Sequence, residues 1–189
     1  RFTRPAFFAL AFLLILGIAA AFRLPALDLR PVHGDEANQA VRTGMLLEDG
    51  VYEYDPFEHH GPTLYYLALI PLWLSGADTL DDATESTFRL LPVFFGIAVI
   101  ALLWPLRHAL GPGATLAAAL FTALSPAMTF YSRYYIQESL FICFAFAAIV
   151  CGWRYWRRPT LSMAALTGAC LGLTFATKET CVLLFFAMA

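Results

Sequence analysis

The sequence predicts an all-α fold: a polytopic membrane helical bundle with a large external loop after its first helix. Two observations indicate this fold. Of the 189 residues, 60% are hydrophobic and only 14% are charged, against roughly 25% charged residues in ordinary soluble domains. The charged residues also fall in short clusters that separate long apolar segments. Because a soluble chain needs polar residues over its surface, these patterns indicate an integral, multi-pass membrane protein.

Composition also excludes some partners and sites. The formal net charge is −2 and no basic block is present, so nucleic acid is not an expected partner, because phosphate backbones bind clustered lysine and arginine. All the cysteines lie inside apolar segments, which favours neither a disulfide framework nor a paired-cysteine metal site. They are Cys143, Cys151, Cys170 and Cys181.

Five apolar segments are long enough, or nearly so, to cross a hydrocarbon core about 30 Å thick, and a sixth begins near the end of the chain. They are residues 5–22, 88–106, 112–131, 138–153, 160–177 and 180–189. A signal peptide is the alternative interpretation of the first segment, but this segment is long, lacks a convincing small-residue cleavage site and is followed by further spans. Because the last segment is still apolar at Ala189, we expect this sequence to be the N-terminal part of a longer protein.

The external loop, residues 23–87, contains an apolar and aromatic segment at residues 62–76. Its apolar core, Leu64 to Ser75, is too short to cross the membrane at about 1.5 Å per residue. We therefore predict an interfacial helix, with aromatic side chains such as Tyr65 at the level of the lipid headgroups.

The positive-inside rule orients this topology. If residues 62–76 do not cross the membrane, three basic clusters lie on one side, which is then cytoplasmic. These clusters are Arg1 with Arg4, Arg107 with His108, and Arg154 with Arg157 and Arg158. Nearly all other unusual polar residues then face the external side, where we expect the chemistry to occur.

The first candidate site is the HGDEA segment, where Asp35 and Glu36 leave the membrane together after the first span. A carboxylate at a membrane edge has raised basicity and can remove a proton from a hydroxyl group. Adjacent helical residues point in different directions, so we expect one carboxylate to face the substrate and the other to cap a helix or hold a partner. The alternative is a solvated helix cap without chemistry.

The second candidate site is the FEHHGP segment with Glu58, His59 and His60, followed by the aromatic residue Tyr65. Imidazolium groups donate from both nitrogens, which favours binding of the phosphate of a lipid substrate. A divalent metal held by Glu58 or His59 is a weaker alternative, because consecutive ligands converge poorly. A solvated loop is the third interpretation.

Two further segments carry charge at the predicted external edge. In YSRYYIQES, Arg133 suits bidentate phosphate recognition and lies near Glu138. Lys178 and Glu179 form a charged pair at the end of the fifth span. Membrane anchoring by tyrosine and arginine, and snorkelling of the lysine, are the structural alternatives. Together the four segments suit a substrate linked to a lipid phosphate.

The order of these motifs resembles that of the polyprenyl-phosphate-sugar-dependent glycosyltransferases of the GT-C superfamily, which includes protein mannosyltransferases and lipid A aminoarabinose transferases. The segments HGDEA, PFEHHGPTLYY, SRYYIQES and GLTFATKE follow the family order. The FEHHGPTLYY segment is most similar to a prokaryotic subgroup described as flippase-activity-associated. The resemblance implies a helical bundle of GT-C type in a prokaryotic plasma membrane.

The resemblance also implies roles for individual residues. Asp35 matches the catalytic base of the family, with Glu36 beside it, and Glu138 matches the second acidic residue. Arg133 corresponds to an arginine that contacts the donor phosphate, and Lys178 to the lysine that ends the fifth span. Where much of the family has Glu-Lys-Pro, this chain has Glu58-His59-His60, so a permanent charge is replaced by titratable ones.

Three functions follow, in decreasing order of support. The first is inverting transfer of a sugar from a polyprenyl-phosphate donor to an external protein, lipid or glycan acceptor, with a carboxylate base and no cofactor assigned. The second is a transporter or flippase component that handles a lipid-linked saccharide without catalysis. Nearly charge-free span centres and the lack of an internal repeat disfavour it. The third is a non-catalytic assembly subunit.

Overall fold

The computed structural model describes residues 4–55 and 60–188, and every regular element in these ranges is helical. This confirms the predicted all-α fold. The elements are α1 (Arg4–Arg23), α2 (Gly34–Asp49), α3 (Thr63–Ser75), α4 (Glu85–Ala101), a 3₁₀ turn (Trp104–Leu106), α5 (Arg107–Leu110), α6 (Pro112–Leu124), α7 (Pro126–Tyr131), α8 (Glu138–Arg157), α9 (Leu161–Phe175) and α10 (Cys181–Met188).

Three of the described helical segments are long and apolar enough to cross a membrane. They are Pro5–Arg23, Glu85–Leu110 and Glu138–Arg157. Three apolar helices are shorter: α3, α6 and α9. Whether α6 with α7, and α9, also cross the bilayer stays a prediction, as does the interfacial position of α3.

The predicted span at residues 112–131 is divided in two, because Pro126 has no N–H with which to continue α6. In a continuous helix the N–H of residue 126 would donate to the carbonyl of Thr122, so proline leaves this carbonyl without a donor from the helix. The buried guanidinium of Arg23 donates to this carbonyl at 3.2 Å and to that of Ala123 at 3.0 Å. The side chain of Ser125 then caps α7. Arg23 therefore joins the end of α1 to the end of α6.

Two apolar cores hold the bundle together. In the first, α1, α4 and α6 pack through buried side chains that include Phe12, Ala19 and Ala119. In the second, α2 and α3 of the external loop pack on α4 and α8, with Leu64 and Tyr135 completely or almost completely buried. Helix α9 packs along α8. The external loop is thus anchored on the ends of the long helices.

The loop helices end at glycines in the left-handed region. Gly50 follows α2 with φ of 71°, and Gly76 follows α3 with φ of 77°. Helix α3 matches the interfacial helix predicted at residues 62–76. Its exposed aromatic residues are Tyr66 and Trp73, whereas Tyr65 is completely buried.

Contacts between α1, α4 and the segment before α8 define what we call the polar end of the bundle. Arg133 reaches the carbonyls that follow α1, and Arg89 of α4 reaches those of Leu27 and Arg30. Glu36 of α2 reaches the same end through Arg89 and the N–H of Tyr135.

Candidate active site

Glu36 is a buried carboxylate held by two arginines. Arg89 donates to both carboxylate oxygens, at 2.9 and 2.8 Å, and Arg30 donates at 2.9 Å. The backbone N–H groups of Tyr135 and His33 also donate to it. Only 2% of Glu36 is exposed, and the same holds for Arg89. Glu36 therefore joins α2 to α4 and to the segment before α8.

The conformation of the first turn of α2 places Glu36 for these contacts. The side chain of His33 accepts from the N–H of Asp35, and Glu36 reaches back to the N–H of His33, which makes a capping box. Burial disfavours the charged form of Glu36, but the hydrogen bonds from Arg89, Tyr135 and His33 outweigh it and lower its pKa. Glu36 is thus ionised at neutral pH and fixes the start of the helix.

Asp35 points the other way, into solvent. Two thirds of its side chain is exposed, and the hydroxyl of Tyr134 donates to its Oδ2 at 3.3 Å. Burial and the charge of Asp35 raise the pKa of Tyr134 to about 12, so this tyrosine stays protonated and orients the carboxylate. Adjacent residues of one helix therefore have the different environments that helix geometry predicts.

A cavity of about 440 Å³, which we call the arginine cavity, lies at the polar end of the bundle. Three arginines line it: Arg30, Arg89 and Arg133. Its apolar lining includes Phe22, Leu27, Leu124, Pro126 and Phe130. The guanidinium of Arg30 lies 4.6 Å from the ring centroid of Tyr134, whose hydroxyl donates to Asp35. Tyr134 thus connects the exposed carboxylate to the cavity.

The charge of the arginine cavity is positive. Among the described residues, Arg30 and Arg89 form ion pairs with Glu36 alone, and no ion pair includes Arg133. Arg133 also donates to the carbonyls of Pro25 and Ala26 at 2.8 and 2.9 Å, so it caps the end of α1. Sequence reasoning identified Arg133 but missed Arg30 and Arg89. The sequence did contain a signal for Arg89, because a charged residue at the start of an apolar segment indicates a functional site.

Two other predicted residues form an ion pair. The Nζ of Lys178, in the turn after α9, lies 2.6 Å from Oε1 of Glu138, the first residue of α8. The second oxygen, Oε2, is buried and has no hydrogen-bond partner among the described residues. Lys178, 40 positions away in the sequence, therefore supplies the cation that neutralises Glu138.

His60 packs against the same turn. Its Nδ1 lies 2.9 Å from Oε2 of Glu179, and the hydroxyl of Tyr54 donates to the other oxygen at 3.3 Å. Burial opposes ionisation of Glu179, but hydrogen bonds from its own backbone N–H and from His60 lower its pKa. We expected His60 to bind phosphate, but here its Nδ1 pairs with a carboxylate of the chain itself.

Glu58 and His59 lie outside the described residues, so their predicted roles in binding substrate or a metal stay predictions. Within residues 4–55 and 60–188, no group of three or more histidine, cysteine, aspartate or glutamate side chains could hold a metal ion.

Tyr65, which we grouped with the second candidate site as a substrate-binding residue, has a buried side chain. It is 0% exposed, and its hydroxyl donates to Oε1 of Gln39. The same oxygen accepts from Gln137 at 3.0 Å. These buried polar groups, which sequence reasoning missed, join α2 and α3 to the segment before α8.

Close packing of Gly61 on the backbone that follows α9 leads to a prediction for this glycine. A Cβ atom added there would overlap the carbonyl oxygen and carbon of Ala176, which are backbone atoms that cannot rotate away. We expect Gly61→Ala to destabilise the protein by about 1–3 kcal/mol, measured by thermal unfolding in detergent. Gly168→Ala is the matched control, since nothing lies within 4 Å of its Cβ position. Equal melting temperatures for the two variants would contradict this packing.

The fold and the polar end define a multi-pass helical membrane protein with a charged site where its long helices meet the segment between α1 and α4. Residues 60–189 match the model of the dolichyl-phosphate-mannose-protein mannosyltransferase family. Because this match covers more than half of the chain, the protein belongs to that family of membrane glycosyltransferases, which use polyprenyl-phosphate sugar donors. No curated protein and no solved structure matches the chain.

The family match agrees with the superfamily resemblance noted from the motifs. Its residues include His60, Arg133, Glu138 and Lys178, whereas Asp35 and Glu36 precede it.

Proposed function

We propose that this protein transfers a sugar from a polyprenyl-phosphate donor to a hydroxyl group of an acceptor on the external side of a prokaryotic plasma membrane. The transfer is a single inverting displacement in which Asp35 is the general base. One observation carries the proposal: an exposed carboxylate is joined through Tyr134 and Arg30 to an arginine-lined cavity with apolar walls, in a chain of a glycosyltransferase family.

The arginine cavity suits the lipid-linked end of the donor. Guanidinium groups bind phosphate oxygens through paired, charge-assisted hydrogen bonds. Glu36 neutralises only part of the charge of Arg30 and Arg89, so positive charge remains for a phosphate. The apolar side chains of Phe22, Leu124 and Phe130 suit the first isoprene units of the lipid.

In the proposed step, the acceptor hydroxyl gives its proton to Asp35 while its oxygen attacks the anomeric carbon of the sugar. The bond between that carbon and the phosphate oxygen breaks, and its electron pair leaves with the polyprenyl phosphate. The arginines stabilise the negative charge that develops on this leaving group. Tyr134 holds Asp35 in place through its hydroxyl.

Lys178 provides a second cation near the predicted external surface, with Glu138 as its partner. We assign this pair to substrate binding, because both residues match charged positions of the family motifs. The roles of Glu58, His59 and His60 in substrate binding stay predictions of the sequence.

The test uses the full-length protein in liposomes with polyprenyl-phosphate mannose labelled in the sugar and an acceptor from membranes that lack this protein. We expect the label to appear in the acceptor and polyprenyl phosphate to be released. Transbilayer movement of the labelled lipid without transfer would contradict the proposal and favour the transporter function instead.

Binding of the donor by the arginine cavity gives a more specific prediction. Removing one charge-assisted phosphate contact costs about 1.5–3 kcal/mol, so we expect Arg30→Gln to raise the KM for the donor about 10- to 100-fold. Arg42→Gln, a change on α2 that does not touch the cavity lining, is the control and keeps the normal KM. An unchanged KM in Arg30→Gln would exclude the cavity as the donor site.

A further inference from the structure

The end of the bundle opposite the candidate active site carries a second charged cavity, which we call the basic cavity. Helix α8 begins at Glu138, in the polar end, and its 20 residues extend for about 30 Å, the thickness of a bilayer core. At its far end Arg154, Arg157 and Arg158, with Arg107 of α5, line a cavity of about 640 Å³.

Among the described residues, no acidic side chain neutralises this cavity at close range. All 14 acidic residues of the sequence lie within residues 28–85 or at Glu138 and Glu179, and none lines the cavity. No ion pair between described residues includes any of its four arginines. The cavity therefore has a concentrated positive charge, although the whole chain has a net charge of −2.

A helix N-terminus adds to this positive charge. Thr160 lines the cavity and caps the 15-residue helix α9 by accepting a hydrogen bond from the N–H of Met163 at 3.3 Å. The remaining N–H groups of the first turn of α9 have no helical acceptors, and the helix dipole favours an anion there. Guanidinium groups and a helix N-terminus together are the donors that a phosphate group needs.

The surroundings of the cavity are those of a membrane interface. Trp156 is 87% exposed and Tyr155 is 44% exposed, directly beside the arginines. Exposed aromatic residues next to basic residues are typical of the headgroup level. By the positive-inside rule this end faces the cytoplasmic leaflet, where acidic lipids are concentrated.

We propose that the basic cavity binds the phosphate headgroup of an acidic membrane lipid in the leaflet opposite the candidate active site. The proposal does not depend on the proposed function, because none of its residues takes part in sugar transfer. A lipid is favoured over free phosphate because the cavity opens beside exposed interfacial aromatic residues at the end of a spanning helix.

The test compares lipids retained by the full-length protein. The protein is reconstituted in vesicles of equal parts phosphatidylcholine and phosphatidylglycerol and then extracted in mild detergent, and co-purifying lipids are measured by mass spectrometry. We expect phosphatidylglycerol to be enriched about tenfold or more over phosphatidylcholine in the wild type. The triple variant Arg154→Gln, Arg157→Gln, Arg158→Gln loses this enrichment, and Arg42→Gln at the polar end retains it.

Two results would overturn the proposal. One is equal enrichment in the triple variant and the wild type. The other is displacement of the lipid by millimolar inorganic phosphate, which would make the cavity a site for free phosphate. If the triple variant does not elute as a folded protein, the single change Arg157→Gln is compared instead, and we expect it to lower the enrichment several-fold.

Discussion

We expect Asp35→Asn to reduce the rate of sugar transfer about 10²- to 10⁴-fold while the donor still binds. Asparagine keeps the size and shape of the side chain but cannot accept the proton of the acceptor hydroxyl. Because Asp35 is exposed and its one tyrosine contact can persist with the amide oxygen, the fold is preserved. Initial transfer rates and equilibrium binding of the labelled donor are measured on the same preparation.

Asp28→Asn is the control for this experiment. Asp28 is another exposed acidic residue of the external loop, and its loss changes the net charge by the same amount. We expect it to transfer sugar at the normal rate. Normal transfer by Asp35→Asn would exclude this carboxylate as the base, and loss of donor binding would assign it to the binding of the donor.

The second large effect is expected at the neighbouring residue. Glu36→Gln leaves the buried guanidinium of Arg89 without its counter-ion, and breaking a buried ion pair in this way costs about 3–5 kcal/mol. Thermal unfolding in detergent measures the loss. Asp49→Asn, at an exposed residue of the same helix, is the control and should change the stability by no more than about 0.5 kcal/mol.

The lowered pKa of Glu36 adds a pH dependence to this result. A carboxylate whose pKa is lower in the folded protein stabilises it above the ordinary carboxyl pKa of 4.5, and the stabilisation is lost as the pH falls through the lowered value. The wild type should therefore lose stability in acid more steeply than Glu36→Gln. Parallel acid profiles for the two proteins would show that Glu36 is not the charged anchor described above.

Much of the architecture follows from the sequence because it depends on local pattern. Helix α3 occupies residues 63–75, close to the predicted 62–76, and α1 and α8 begin where their apolar segments begin. The sequence predicted one continuous span at residues 112–131 and did not predict the break at Pro126. It is stabilised by Arg23, about 100 positions away, and apolar composition contains no information about such a partner.

The sequence predicts those features of the candidate site that depend on residue type. It does not predict those that depend on pairing between residues far apart in the sequence. Helix geometry separates Asp35 from Glu36, but it does not say which of them is buried. That choice depends on Arg89, 53 positions away. Likewise, His60 is a plausible phosphate ligand by residue type, and only the fold reveals that Glu179 pairs with it.

The central claim is that one carboxylate base performs a direct displacement at the anomeric carbon. The most direct test is the anomeric configuration of the sugar in the first product, determined by NMR after a single turnover of the full-length protein with a donor of known configuration. A direct displacement inverts the configuration relative to the polyprenyl-phosphate donor. Retention, as in the double displacement of retaining glycosidases, would exclude a single direct displacement and would contradict the role assigned to Asp35.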